Sequence, residues 1–290
     1  LCAVSEHIVS PVPRDTDKSL FINSLCAHFI LLRRNTRSAG LTRYLPAEPN
    51  FIAEFPAHDV AAQRGLMMQD AAAVSRIGSI SDILAALVAA DGTGSHSYPA
   101  ETHPSLLTRS LSNLADAAHY LCMLHGRQPG VIDHAATRTA ENAARAWLVQ
   151  AADGFSHERA FLAQVTVAVG PLPSTTGQSE SETAVLQQRH ALDMLAQSDR
   201  RGCAMGAAIA LVLDWQAVRT LLDVAAIRSG IEPSQCQLPL APETLAVADA
   251  IAMEDDGIAR AMQFGARQML RQHRGLWDLL QARASVRARA

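Results

Sequence analysis

Acidic and imidazole side chains at helical spacing are the residues of this sequence best suited to chemistry. Asp116 and His119 stand three apart, so a helix would put them on one face. His190 and Asp193 repeat that spacing in reverse order, and Glu141 and Glu182 fall on separate segments. Helical bundles hold di-metal centres with carboxylates and imidazoles projecting inward from several helices, because hard and borderline metals need such ligands on rigid elements. Asp116, His119, Glu141 and His190 are therefore the metal-ligand candidates. The pattern is diluted, since no Glu-x-x-His pair occurs and 28 acids with 11 histidines make such spacings common by chance. The competing reading places Asp116 with Arg109 and Asn113 on a solvated face.

Asp214 is the sharpest single anomaly. It shares a helical face with Ala207, Ala210, Leu211, Val218 and Leu221 in the most apolar segment of the chain. A carboxylate there must be paired, hydrogen-bonded or protonated. Arg189, Arg200 and Arg201 are the candidate partners. One reading is a buried ion pair that fixes helix register; the other is a general base or ligand in a pocket. Glu182 and Arg189 are seven apart and can join one network with His190. Glu182, Arg189, His190 and Asp214 thus form the candidate catalytic cluster. His273, four residues from both Met269 and Trp277, reads as a satisfied core histidine.

Familiar signatures are missing. There is no G-x-S-x-G, no P-loop and no G-x-G-x-x-G. Asp91–Ser95 (DGTGS) looks like a glycine loop, but no strand precedes it, so it reads as a linker. His157–Phe161 (HERAF) begins like a zinc-protease motif, yet Phe161 stands where the second histidine is needed; the pair reads as first-turn charges on a helix. No cofactor is specified. Arg260, Arg267, Arg271 and Arg274 line one face of a C-terminal helix, and residues 259–290 carry +6 by count against −9 for the rest. A basic helix can bind phosphates. The aromatic interleaving that stacks bases is absent, so a solvated face is expected, with no nucleic-acid or membrane partner.

The elements that would position these residues read as helix after helix. The expected starts and stops are a helix from His58–Asp59 into the 70s, one from Ser79 to Asp91–Gly92, and one from Thr102–Pro104 to Gly126. Asp133 reads as an N-cap for a helix ending at Asp153–Gly154, and Ser156 as the cap of the next, which stops at Gly170–Pro171. Ser179 and Glu182 have capping-box spacing. Gly202–Leu213 (GCAMGAAIALVL) opens a buried helix that continues to Ser229–Gly230 and is too short in its apolar part to span a bilayer. Pro242 starts a last helical stretch to about Ala282, interrupted near Asp256–Gly257.

Composition agrees. The chain of 290 residues is 49% hydrophobic and only 4% aromatic, which suits an alanine-rich helical core better than a sheet. Lys18 is the only lysine, and the net charge of −3 does not mark a nucleic-acid binder. Five cysteines without a C-x-x-C fit a reducing cytoplasm better than a disulfide framework. The first methionine is Met67, and residues 1–45 are expected to be a poorly structured extension, with an over-extended start as one explanation.

The run Gly170–Thr175, with Glu182, Gln188–Leu192, Arg201–Ala204, Gly206–Ala208 and Asp214–Trp215, resembles an uncharacterised bacterial family of the alphaproteobacterial type over residues 46–290. The resemblance implies a bacterial helical domain of unknown function and carries over no catalytic residue. The expectation is an all-α bundle of about seven helices around one central apolar helix, forming a single domain over 46–290. Its leading role is a non-enzymatic cytoplasmic scaffold or interaction protein, for which a homo-oligomer is compatible. The alternative is a helical-bundle enzyme or ligand-binding protein with a carboxylate/histidine site, ferritin-like or haem-oxygenase-like by analogy only.

Overall fold

A computed structural model describes residues 78–99 and 109–289, all within the compact unit Gly65–Ala290. The expected extension 1–45, the helix start at His58–Asp59 and the start at Thr102–Pro104 lie outside the described residues. Within them the chain is all-α. Eight helices follow in order: α1 Ile80–Asp91, α2 Leu111–His125, α3 Val131–Arg138, α4 Asn142–Ala168, α5 Gln178–Ala196, α6 Cys203–Arg228, α7 Ala241–Ala252 and α8 Asp256–Arg289. A short 3₁₀ turn, Thr93–Ser95, follows α1.

α6 is the axis of the bundle. It touches each of the other seven helices, and its buried residues come from every side of the helix. That is why its composition is almost uniformly apolar: an element surrounded by neighbours has no solvent face to decorate. α6 is long and apolar enough to cross a membrane by length and composition, but 78% of its most apolar window is buried inside the bundle, as in a core helix.

α8 runs parallel to α6 at very short range. A Cβ on Gly206 would lie 2.1 Å from the Met262 carbonyl oxygen, and one on Gly265 would lie 2.0 Å from that of Cys203. Only glycine permits this approach, and it fixes the register of the two longest-packed helices. Eight residues further along each, about two turns, stand Asp214 and His273.

Several local expectations need correction. α4 runs straight through Asp153, Gly154 and Ser156, where a stop and a new cap were expected. Gly154 serves packing instead, because its Cβ would meet the Gln237 carbonyl oxygen at 2.6 Å. Asp133 is not an N-cap: Gly130 is, and Asp133 accepts a 2.7 Å hydrogen bond from the Gly130 N–H. Ser179 with Glu182 makes no capping box, since α5 starts at Gln178 after Gly177 in the left-handed region (φ 78°). The α1 start is as read, with Ser79 and Asp82 in a reciprocal capping box. The break expected near Asp256–Gly257 separates α7 from α8, and α8 continues past Ala282 to Arg289.

Candidate functional site

Three helices and one turn bring polar groups into the buried centre. Asp214 on α6 is 1% exposed and accepts three hydrogen bonds. Its Oδ1 receives the Thr93 backbone N–H at 2.7 Å, and its Oδ2 receives the Thr93 hydroxyl at 2.6 Å. The same Oδ2 meets His273 Nδ1 at 2.6 Å. The Trp277 indole N–H donates to Thr93 Oγ1 at 2.9 Å, which leaves the hydroxyl proton for Asp214. Gly92 makes room for this turn, since a Cβ there would stand 2.6 Å from Asp214 Oδ1.

Proton bookkeeping sets the tautomers. A carboxylate offers only acceptors, so His273 Nδ1 carries the hydrogen that faces Asp214. His273 Nε2 lies 2.8 Å from His125 Nε2, a contact that needs one proton between two ring nitrogens. With His273 neutral, His125 donates through Nε2 and its Nδ1 keeps a free lone pair. His125 Nδ1 makes no hydrogen bond among the described residues. Burial, then His273 and Arg159, hold the His125 imidazole well below its ordinary pKa of 6.5, so it is neutral at pH 7. The ring is clamped edge-on by Phe155 and Trp215, with centroids at 6.2 and 5.5 Å.

This chain of groups ends at a surface cavity. His125 lines a space of about 20 Å³ together with Arg127, Gly130, Phe155, Arg189 and Asp193. That volume holds one water or one ligand oxygen. Chemically, Asp214, His273 and His125 can take up a proton at His125 Nδ1 and pass the His125 Nε2 proton to His273. The positive charge then rests on His273 beside the Asp214 carboxylate, where an ion pair compensates burial.

The sequence candidates are distributed differently from the expected cluster. Asp214 lies at the inner end of this relay and Arg189 at its cavity end, but Asp214 pairs with His273 and Thr93, not with Arg189, Arg200 or Arg201. Glu182 accepts from its own helix, from Gln178 Nε2 at 2.9 Å. His190 is exposed. Nor do the four metal candidates converge. Glu141 accepts from Arg201 at 2.8 Å, and His119 Nε2 bonds the Gly170 carbonyl at 2.8 Å. Asp116 is fully buried, not solvated: its carboxylate takes Arg283 Nε at 3.0 Å and Arg287 Nη2 at 2.6 Å. Among the described residues no three His, Cys, Asp or Glu side chains are grouped to hold a metal.

Two further readings change. Glu158 of HERAF is buried and saturated, receiving Trp215 Nε1 at 2.9 Å and Arg219 Nη1 at 2.7 Å, so it anchors α4 to α6. The DGTGS segment is more than a linker, because its Thr93 supplies two of the three donors to Asp214. His273 is a satisfied core histidine, as read. His125 was not singled out by sequence; the one available signal was its place at the end of an apolar helical stripe.

The Arg260, Arg267, Arg271 and Arg274 row on α8 is exposed and makes no ion pair among the described residues. Phe264, 45% exposed, sits in the same row with the Arg200 guanidinium 5.9 Å from its ring centre.

The DUF6975 family, described as a family of unknown function, matches residues 88–288. The chain belongs to DUF6975. Its matched span contains the whole relay, from Thr93 to Trp277. No curated protein and no solved structure matches the chain.

Proposed function

We propose that this DUF6975 domain is a helical-bundle enzyme that uses His125 as a general base, the carboxylate/histidine alternative of the sequence reading with a different residue set. The observation that carries it is the Asp214–His273–His125 relay ending at a cavity with the His125 Nδ1 lone pair unused among the described residues. A purely structural network would saturate both ends, as Glu158–Arg219 does. Here the inner end is saturated and the outer end is left open. Asp214 and His273 orient His125 and stabilise the charge it acquires, and His125 activates a water or an acidic proton of a ligand at the cavity. We also assign the chain to the bacterial cytoplasm, a reading supported by free Cys122, Cys203 and Cys236 among the described residues.

The test is hydrolysis of a panel of activated carboxylic and phosphoric esters by the full chain and by His125→Gln. General-base catalysis contributes about 10²- to 10⁴-fold, so the variant is expected to lose at least a hundredfold. The wild-type rate should fall on an acid limb below pH 6.5, because the base must be neutral and its pKa is depressed. The groups facing it are Asp214 through His273, Arg159 nearby, and Arg127, Arg189 and Asp193 lining the cavity. Equal rates in wild type and variant would end this reading.

The exposed α8 arginine row favours a second reading, the interaction protein, with an acidic protein surface as partner. Reversing Arg267 and Arg271 to Glu should then abolish a partner contact that weakens steeply with salt. Salt-dependent capture of an oligonucleotide in fluorescence anisotropy, lost in the same variant, would instead make the row a nucleic-acid face.

A further inference from the structure

Beside the His125 cavity lies positive charge that contacts among the described residues leave partly unused. Arg159 on α4 is 6% exposed, and its Nη2 reaches Asp133 at 3.2 Å. Its Nε and Nη1 have no hydrogen-bond partner among the described residues. An unpaired N–H inside a protein costs about 1–3 kcal/mol, so two on one guanidinium mark a place where an acceptor belongs. Nη1 is buried behind the cavity-lining Gly130, 3.4 Å from where a Cβ on that residue would be. The Arg159 guanidinium also lies 5.0 Å from the centre of the Phe155 ring, which lines the same space. Gly130 is the N-cap of α3, and the Asp133 carboxylate in the first turn already takes its N–H.

The rim repeats the sign. Arg127 and Arg189 line the cavity and make no hydrogen bond or ion pair among the described residues. Among the described residues Asp193 is the one acid lining the cavity, and it forms no ion pair with Arg189 one turn away. Asp133 is already engaged with Arg159 and the Gly130 N–H.

We propose that this mouth binds a small oxyanion, a carboxylate or a phosphate, held by Arg127 and Arg189, with one oxygen in the cavity near Arg159 and against His125, whose Nδ1 takes up a proton on binding and donates it to that oxygen. The size fits: the cavity admits a single oxygen, and Arg127 and Arg189 line the same space. Guanidinium forks suit both anions, because their paired N–H donors match two oxygens. This names the substrate class of the acid–base reading and rests on that reading only for the role of His125.

The experiment follows the full chain by ¹⁵N NMR of its imidazoles and by melting temperature. Phosphate or acetate is titrated in turn against sodium chloride at matched ionic strength. A saturable response of His125 and a raised melting temperature are expected with at least one oxyanion. Phosphate alone or acetate alone identifies the source of the ligand. Arg127→Ala with Arg189→Ala changes rim residues outside the core and should weaken binding at least tenfold. Arg159→Lys keeps the charge toward Asp133 but removes the spare donors, and should weaken it similarly. His125→Gln should retain oxyanion binding while losing ester hydrolysis, so failure of the binding site and failure of the base are read separately. No saturable response beyond chloride, or undiminished affinity in the rim double variant, overturns the proposal.

Discussion

Asp116→Ala is expected to lower the stability of the domain by about 3–5 kcal/mol, the usual cost of removing one partner from a buried ion pair. The residue is fully buried and neutralises two arginines of α8 at once. Arg283 carries the link on to Ser181 Oγ at 3.3 Å and the Pro173 carbonyl at 3.4 Å. Arg287 reaches Thr175 Oγ1 at 2.7 Å and Asn113 Oδ1 at 2.6 Å. The carboxylate therefore ties α2, the 170–177 loop and the end of α8 together. Without it, two guanidiniums stay in a pocket with no counter-charge. Stabilities of single domains are about 5–15 kcal/mol, so the variant should unfold at much lower urea. Replacing Asp116 and Arg283 together with leucine and methionine should recover part of the loss, because the penalty is the unpaired charge. A single-variant loss below about 1 kcal/mol would mean that the arginines swing out to water and that the pair is not structural.

Gly265→Ala carries the second large effect, and its sign decides the issue. In an open helix, replacing glycine by alanine stabilises by about 1 kcal/mol. Here the new methyl would fall 2.0 Å from the Cys203 carbonyl oxygen and 3.0 Å from the Ala207 nitrogen. Both obstacles are backbone, so no side chain can step aside and α8 must move away from α6. Overpacking of this kind costs about 1–3 kcal/mol and sometimes more. The displacement also reaches the relay, because the 2.6 Å hydrogen bond from His273 to Asp214 lies about two turns along the same contact. Thermal unfolding with ¹⁵N NMR of His273 would show both effects. A stabilised variant with an unchanged His273 resonance would show that the helices do not approach as closely as described.

These two effects separate what helix periodicity can report from what it cannot. The all-α class, the central apolar helix and most helix ends were legible, because each depends on spacing within one segment: 3.6-residue patterning, caps and glycine stops. Asp214 stood out for the same reason, as a charge on an apolar face that required a partner. The errors came where a local signal had a long-range use. Gly154 was read as a stop, but it is a contact point for the Gln237 backbone inside a continuous helix. Neither reading of Asp116, metal ligand or solvated face, anticipates its ion pairs, because its own segment does not reveal that α8 brings Arg283 and Arg287 over it.

The sequence by itself determined that one carboxylate in the core had to be satisfied, and that a histidine at 273 faced inward. Only the tertiary structure decided that these two meet, that Thr93 from a turn 121 residues away from Asp214 completes the shell, and that His125 carries the network to a cavity. The reason is geometric. A helical pattern fixes which side of a helix is buried, whereas the identity of its neighbour and the register between them are set by the α6–α8 glycine contact.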